Sequence, residues 1–279
     1  MRETLELRVN LDYSNLLFGS NEGKVLGSSI KGIEITTDDP RYSEVGIITE
    51  RVKKEFGKSF FFGWSIKRKY TSKELNSANL FHLKVAKTFE PAGEECGTIY
   101  DDSLACEICG VGRKQLNNLT LAFSSIPKKD ISRTIAGEVI VSEKFVKAYE
   151  LAKLNGAIFK PVVFKSKKEG FFQLISKAEL KLSHLTIAGI DPFDLSTESE
   201  GEIYKCPKGH TIGLNLLSEP YIESITENNF DFYATEQKIG IRRGLLNPQP
   251  LFLCSPAFRN LVIKEKLSGF EFEIAYLNK

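Results

Sequence analysis

Histidine is scarce in this chain: three occur among 279 residues, beside one methionine and one tryptophan. Histidine-dependent catalytic patterns can therefore be checked position by position. No His-x-Glu precedes the Cys-x-x-Cys, so the zinc-deaminase arrangement is missing. His-Glu-x-x-His, Gly-x-Ser-x-Gly and the phosphate loop Gly-x-x-x-x-Gly-Lys-Ser/Thr are missing as well. "GVGRK" has the wrong final spacing for a dinucleotide fingerprint. These absences point away from an enzyme. Long apolar runs are also lacking, so no segment reaches the length that crosses a bilayer. The opening "MRETLELRVNLDYSN" alternates charged and apolar residues and has no signal-peptide core. The expected location is the cytoplasm, with no membrane partner. The formal net charge of +2 supplies no global field toward nucleic acid. Low-complexity stretches and Pro/Ser linkers are absent too, and the composition is that of a globular protein.

The five cysteines are few and odd in number, and a reducing compartment disfavours structural disulfides. Metal ligation is then the natural use of closely spaced thiols. "ACEICGVGRK" places Cys106 and Cys109 three positions apart, followed by Gly110 and Gly112. Two thiols cannot close a tetrahedron. "IYKCPKGHTIG" supplies the complement in Cys206 and His210, with Gly209 and Gly213 marking a similar tight turn. Cys-x2-Cys and Cys-x3-His both fall within structural zinc spacings. Thiolates and imidazole suit Zn2+ better than hard-oxygen cations, and four protein ligands leave no open position for water. Cys96, His82 and His184 are the available substitutes, although both histidines sit in alternating, strand-like stretches. Cys254 reads as a small buried thiol at a strand-to-helix junction.

Along the chain, Leu5–Leu11 alternates like a strand, and Ile47–Phe56 has helical spacing that stops at Gly57. Lys58–Tyr70 is aromatic and β-prone, its rings expected in the core, and Thr71 with Glu74 forms a capping box. Asn79–Phe89 alternates again, and Gly170–Ile190 reads as further strands. An internal repeat links Val139–Val162 to Leu251–Ile274: Ser142, Phe145, Gly156 and Phe159 find matches in Ser255, Phe258, Gly269 and Phe272 at one constant spacing. Serine is the N-cap, Pro256 takes the first helical position, phenylalanine opens the buried stripe and glycine makes the left-handed turn beyond the helix. Each copy is thus a strand–helix–strand unit. The predicted class is α+β, with mixed sheets and two such repeats bridged by a zinc-ribbon-like site. The predicted division is a mixed segment at 1–90 and a double-knuckle region at 91–279, or one continuous domain.

These residues also carry a likeness. Phe89–Gln115, Asp130–Phe145, the second knuckle and the closing "GFEFEIAYL" resemble the double-CXXCG motif proteins of bacteria. Cys106, Cys109 and Gly110 match the first motif in full, whereas the second departs, with Cys206 followed by Gly209 and His210. Some members of that family are immunity proteins encoded beside toxins. The resemblance implies a non-enzymatic cytoplasmic protein that binds and neutralises a cognate bacterial toxin. Glu198–Glu202 and Glu227–Glu236 are candidate binding edges, although solvated loop is the simpler reading of both. The alternative is a zinc-ribbon nucleic-acid-binding protein, with Arg113, Lys114, Lys205 and Lys208 beside the knuckles and "IKRKY" (Ile66–Tyr70) mixing basic and aromatic residues.

Overall fold

The computed structural model describes residues 1–166, 169–193, 204–225 and 230–278, and shows a mixed α/β protein with several sheets. It divides into two units: Met1–Leu75 with Asp191–Thr197, and Asn76–Ile190 with Glu198–Lys279. The boundary expected at residue 90 therefore moves back to Leu75. The reason is Leu80–Val85, an inner strand of a sheet in the second unit rather than the end of an N-terminal segment.

In the smaller unit, antiparallel strands run in the order Lys24–Leu26, Ile30–Thr36, Arg2–Asn10, Phe61–Lys69. Alternation aims Leu5, Leu7 and Val9 at the core together with Ile33 and Ile35. The helix Tyr42–Phe56 buries Val45, Ile48 and Val52 against them and ends at Gly57, whose N–H returns to the Lys53 carbonyl. Phe60 and Phe18 complete that core, whereas Phe62 points outward and is 56% exposed, so not every ring of the aromatic stretch is core. Thr71 and Glu74 make the expected reciprocal cap.

The larger unit extends the repeat well beyond the strand–helix–strand segments. Val139–Ser142, the helix Glu143–Leu151 and Ala157–Pro161 correspond to Gln249–Cys254, the helix Pro256–Lys264 and Phe270–Leu277. Each opening strand pairs antiparallel with an upstream strand, Ile131–Thr134 or Phe232–Ile239. Val139, opposite Arg133, takes the place that Phe252, opposite Ala234, takes in the other copy, one residue past the start of the matching segment. Between the two strands of each repeat lies a strand from elsewhere: Phe171–Ser176 in the first sheet and Leu80–Val85 in the second. Registers agree residue for residue, with Phe159 opposite Leu174 and Phe272 opposite Leu83.

The pieces that follow these inserted strands cross over. Thr88–Phe89 joins the first sheet parallel to Ile131–Thr134, and Glu179–Leu180 joins the second parallel to Phe232–Ile239. Even the short ladders match: Thr120–Leu121 pairs in parallel with Val163–Phe164, as Tyr221–Ile222 does with Tyr276 and Leu277. Among the described residues, 76–166 on one side and 169–190, 204–225 and 230–278 on the other are thus two copies of one topology, each lending its leading strand to the other's sheet.

Polar caps lock the exchange. Ser142 Oγ accepts the Phe145 amide and donates to Asp130 Oδ1 at 2.9 Å; Ser255 Oγ does the same for Phe258 and Asp231, at 2.7 Å. The second oxygen of each aspartate reaches the opposite copy. Asp130 Oδ2 accepts the Ser268 amide beside Gly269, and Asp231 Oδ2 accepts the Asn155 amide beside Gly156. Both glycines are left-handed, at φ 95° and 97°, and a Cβ on either would lie 2.4 Å from a carbonyl oxygen of the opposing strand. The helices meet through the matched rings of Phe145 and Phe258, with centroids 5.6 Å apart and neither ring exposed.

Candidate metal centre

Each copy carries its knuckle on an equivalent hairpin. Tyr100–Asp101 pairs antiparallel with Lys114–Gln115 around the first, and Ala188–Gly189 pairs with Asn215–Leu216 around the second. The flanking bonds also repeat, with the Leu116 amide on the Ile99 carbonyl and the Leu217 amide on the Ile187 carbonyl, both at 2.9 Å.

Within the first knuckle the Cys106 amide bonds the Val111 carbonyl at 2.8 Å and the Gly110 amide bonds the Cys106 carbonyl at 2.7 Å. Gly110 is left-handed at φ 72°, the backbone conformation that favours glycine. The second knuckle is drawn in by Thr211, whose hydroxyl accepts the Cys206 amide and donates to the Tyr204 carbonyl. It is stitched to the strand Phe232–Ile239, since the Lys238 amide bonds the His210 carbonyl and the Ile212 amide bonds the Lys238 carbonyl.

The four predicted ligands come together. Cys106 Sγ lies 3.8 Å from Cys206 Sγ, and His210 Nδ1 lies 3.6 Å from Cys109 Sγ and 3.7 Å from Cys206 Sγ. All four ligand atoms fall within 4.8 Å of one another. The sulfurs are far beyond the ~2.05 Å of a disulfide. A tetrahedral ion with Zn–S of about 2.3 Å and Zn–N of about 2.0 Å would set its S···S and S···N edges at ~3.8 and ~3.5 Å. The donor set fits such an ion in both kind and spacing.

Electrostatics treat the two thiols of the first knuckle differently. The amides of Cys109 and Ile108 point at the Cys106 sulfur and hold its pKa down to about 6, which favours the thiolate. Burial pushes the Cys109 thiol up to about 11. Further thiolates crowded into this cluster need a cation to offset their mutual repulsion.

The substitutes Cys96, His82 and His184 are not in the cluster. His82 lies on the strand Leu80–Val85 opposite Glu273, His184 is exposed, and Cys254 is fully buried as expected. Arg113 is committed elsewhere: its guanidinium lies 4.3 Å over the Tyr100 ring and pairs with Glu94 and Asp102, both at 2.9 Å. Asp102 also binds Arg242, and Tyr100 donates to Glu138 at 2.7 Å, so a polar brace surrounds the first knuckle. This brace has no local sequence signal, because its members lie far apart in the chain.

Of the candidate binding edges, Glu198–Glu202 lies outside the described residues. The second, Glu227–Glu236, is corrected in its described part: Phe232–Thr235 belongs to a strand and is buried. No helix among the described residues is long and apolar enough to cross a membrane. Compared with known protein families and with curated proteins, the chain matches none.

Proposed function

We propose that Cys106, Cys109, Cys206 and His210 hold a structural Zn2+ in a zinc-ribbon-like site, and that the chain is a cytoplasmic, non-enzymatic immunity protein for a cognate bacterial toxin. The edge lengths of the ligand cluster carry the metal half of this reading. When bound, the ion supplies cross-linking and no open coordination position. It ties together knuckles almost a hundred residues apart in sequence, presenting a rigid scaffold to a partner.

The toxin-binding half rests on the likeness of Cys106-Glu-Ile-Cys109-Gly110 and its neighbours to the double-CXXCG proteins. It also draws on Leu104 and Ile108, which project from the first knuckle at 78% and 57% exposure and offer apolar anchors beside the ion. Affinity capture from the native host, with mass spectrometry, should recover a toxin, and co-expression should rescue growth. Leu104→Asp with Ile108→Asp should abolish capture while leaving zinc in place. Zinc without a toxin partner would end the immunity reading and leave the metal site standing.

The nucleic-acid alternative loses one of its four cations, because Arg113 is engaged by two carboxylates and a ring. Salt-dependent DNA or RNA binding that weakens on neutralising Lys114, Lys205 and Lys208 would restore it.

A further inference from the structure

Away from the metal cluster, the first copy holds a half-open cavity of about 660 Å3, within the ~300–1,000 Å3 typical of small-molecule sites. Its wall is apolar and preformed. Phe123 meets Phe171 edge-to-face at 6.0 Å and Phe164 at 5.2 Å, so the rings fix one another, and Leu121 and Ile126 add aliphatic surface. The rim is cationic: Lys128 and Lys165 line it, both are exposed, and neither belongs to an ion pair among the described residues. The one acidic lining group, Glu95, has its Oε2 on the Ala92 amide as a helix cap. The half-buried Cys96 thiol faces the same space.

The duplicated fold gives an internal control. Phe171 has its counterpart in Leu80: the Val162 amide bonds the Phe171 carbonyl, while Leu80 pairs with Ala275. Leu80 is 2% exposed and packed in a closed cluster with Leu180, Leu182 and Ile222. Phe171 is only half-buried and lines open space. One backbone design is filled beside the second sheet and hollow beside the first, so the hollow is a property of the side chains and not of the topology.

We propose that this cavity binds an amphipathic carboxylate of medium chain length, its tail against Phe123 and Phe171 and its head between Lys128 and Lys165. The inference is independent of the metal reading. Calorimetry on the full-length, metal-loaded protein with acetate, octanoate and decanoate tests it. Affinity should rise by about fourfold per added methylene, the burial of one CH2, until the space is filled. Nonyltrimethylammonium, with the same nine-carbon tail and the opposite charge, should bind at least tenfold more weakly than decanoate. Lys128→Glu with Lys165→Glu, both on the surface and checked by an unchanged melting temperature, should reverse that preference. Decanoate should also slow alkylation of Cys96 by N-ethylmaleimide, a readout that locates the ligand. Equal affinity for the two head groups, no dependence on tail length, or unprotected Cys96 with decanoate bound would each overturn the proposal.

Discussion

At the same register position, the two copies of the larger unit carry opposite chemistry. In the second sheet His82 stands opposite Glu273; in the first, Gln173 stands opposite Lys160. Burial acts to raise the Glu273 pKa, but the His82 imidazole and the Lys84 ammonium, 2.7 Å away, hold it down to about 2. Gln173 instead exchanges amide bonds of 2.8 and 3.1 Å with Gln115 on the first knuckle's hairpin, and Lys160 is exposed. The backbone is therefore specified by features the copies share: serine caps, reciprocal aspartates, left-handed glycines and one register. The positions between those features are free to diverge. One sheet uses them for a buried charge cluster and the other for a link to the first knuckle's hairpin and an open cavity.

The comparison breaks most visibly at the ion. If it joins the copies, Cys106→Ser and Cys206→Ser should each cost about 3–5 kcal/mol in denaturant unfolding. The double variant should cost little more than either alone, because the ion is lost in each case. Additive losses would mean two separate sites. Next are the paired turns. Gly156→Ala and Gly269→Ala each force a Cβ to 2.4 Å from a carbonyl oxygen, and each should destabilise by about 3 kcal/mol. A large difference between them would show that the copies are not locked symmetrically.

Charge at the sheet centre should separate the copies. With a folded pKa of about 2 against an ordinary 4.5, Glu273 contributes stability that is fully present above pH 4.5 and is lost as pH falls toward 2. Glu273→Gln should then cost on the order of 2 kcal/mol at neutral pH, a deficit that shrinks through that window, and Lys160→Gln should cost under ~0.5 kcal/mol. Asp130→Ala and Asp231→Ala should each remove about 1–2 kcal/mol, measured by thermal melting.

Local physics made much of this legible in the sequence. Ser142 and Ser255 have to cap, Gly156 and Gly269 have to turn, and spacing and donor type mark the four members of the Cys/His cluster. The exchange of Leu80–Val85 and Phe171–Ser176 was not legible. Strand partners so distant in sequence are chosen by register and packing, and alternation alone marks only that a strand exists. That is why Leu80–Val85 reads as the end of an N-terminal segment. Asp130 and Asp231 escaped notice because a lone aspartate before a strand looks like any turn residue, and its role depends on the opposite copy. Phe232–Thr235 reads as loop from its polar neighbours, although tertiary packing buries it.

The central claim is that one closed ion gathers Cys106, Cys109, Cys206 and His210 and fastens the two copies together. X-ray absorption at the zinc edge on protein purified without added metal tests it most directly. The expected spectrum has about three sulfurs near 2.3 Å and one nitrogen near 2.0 Å, at roughly one zinc per chain. Absence of zinc, or a shell containing oxygen from solvent, would contradict it.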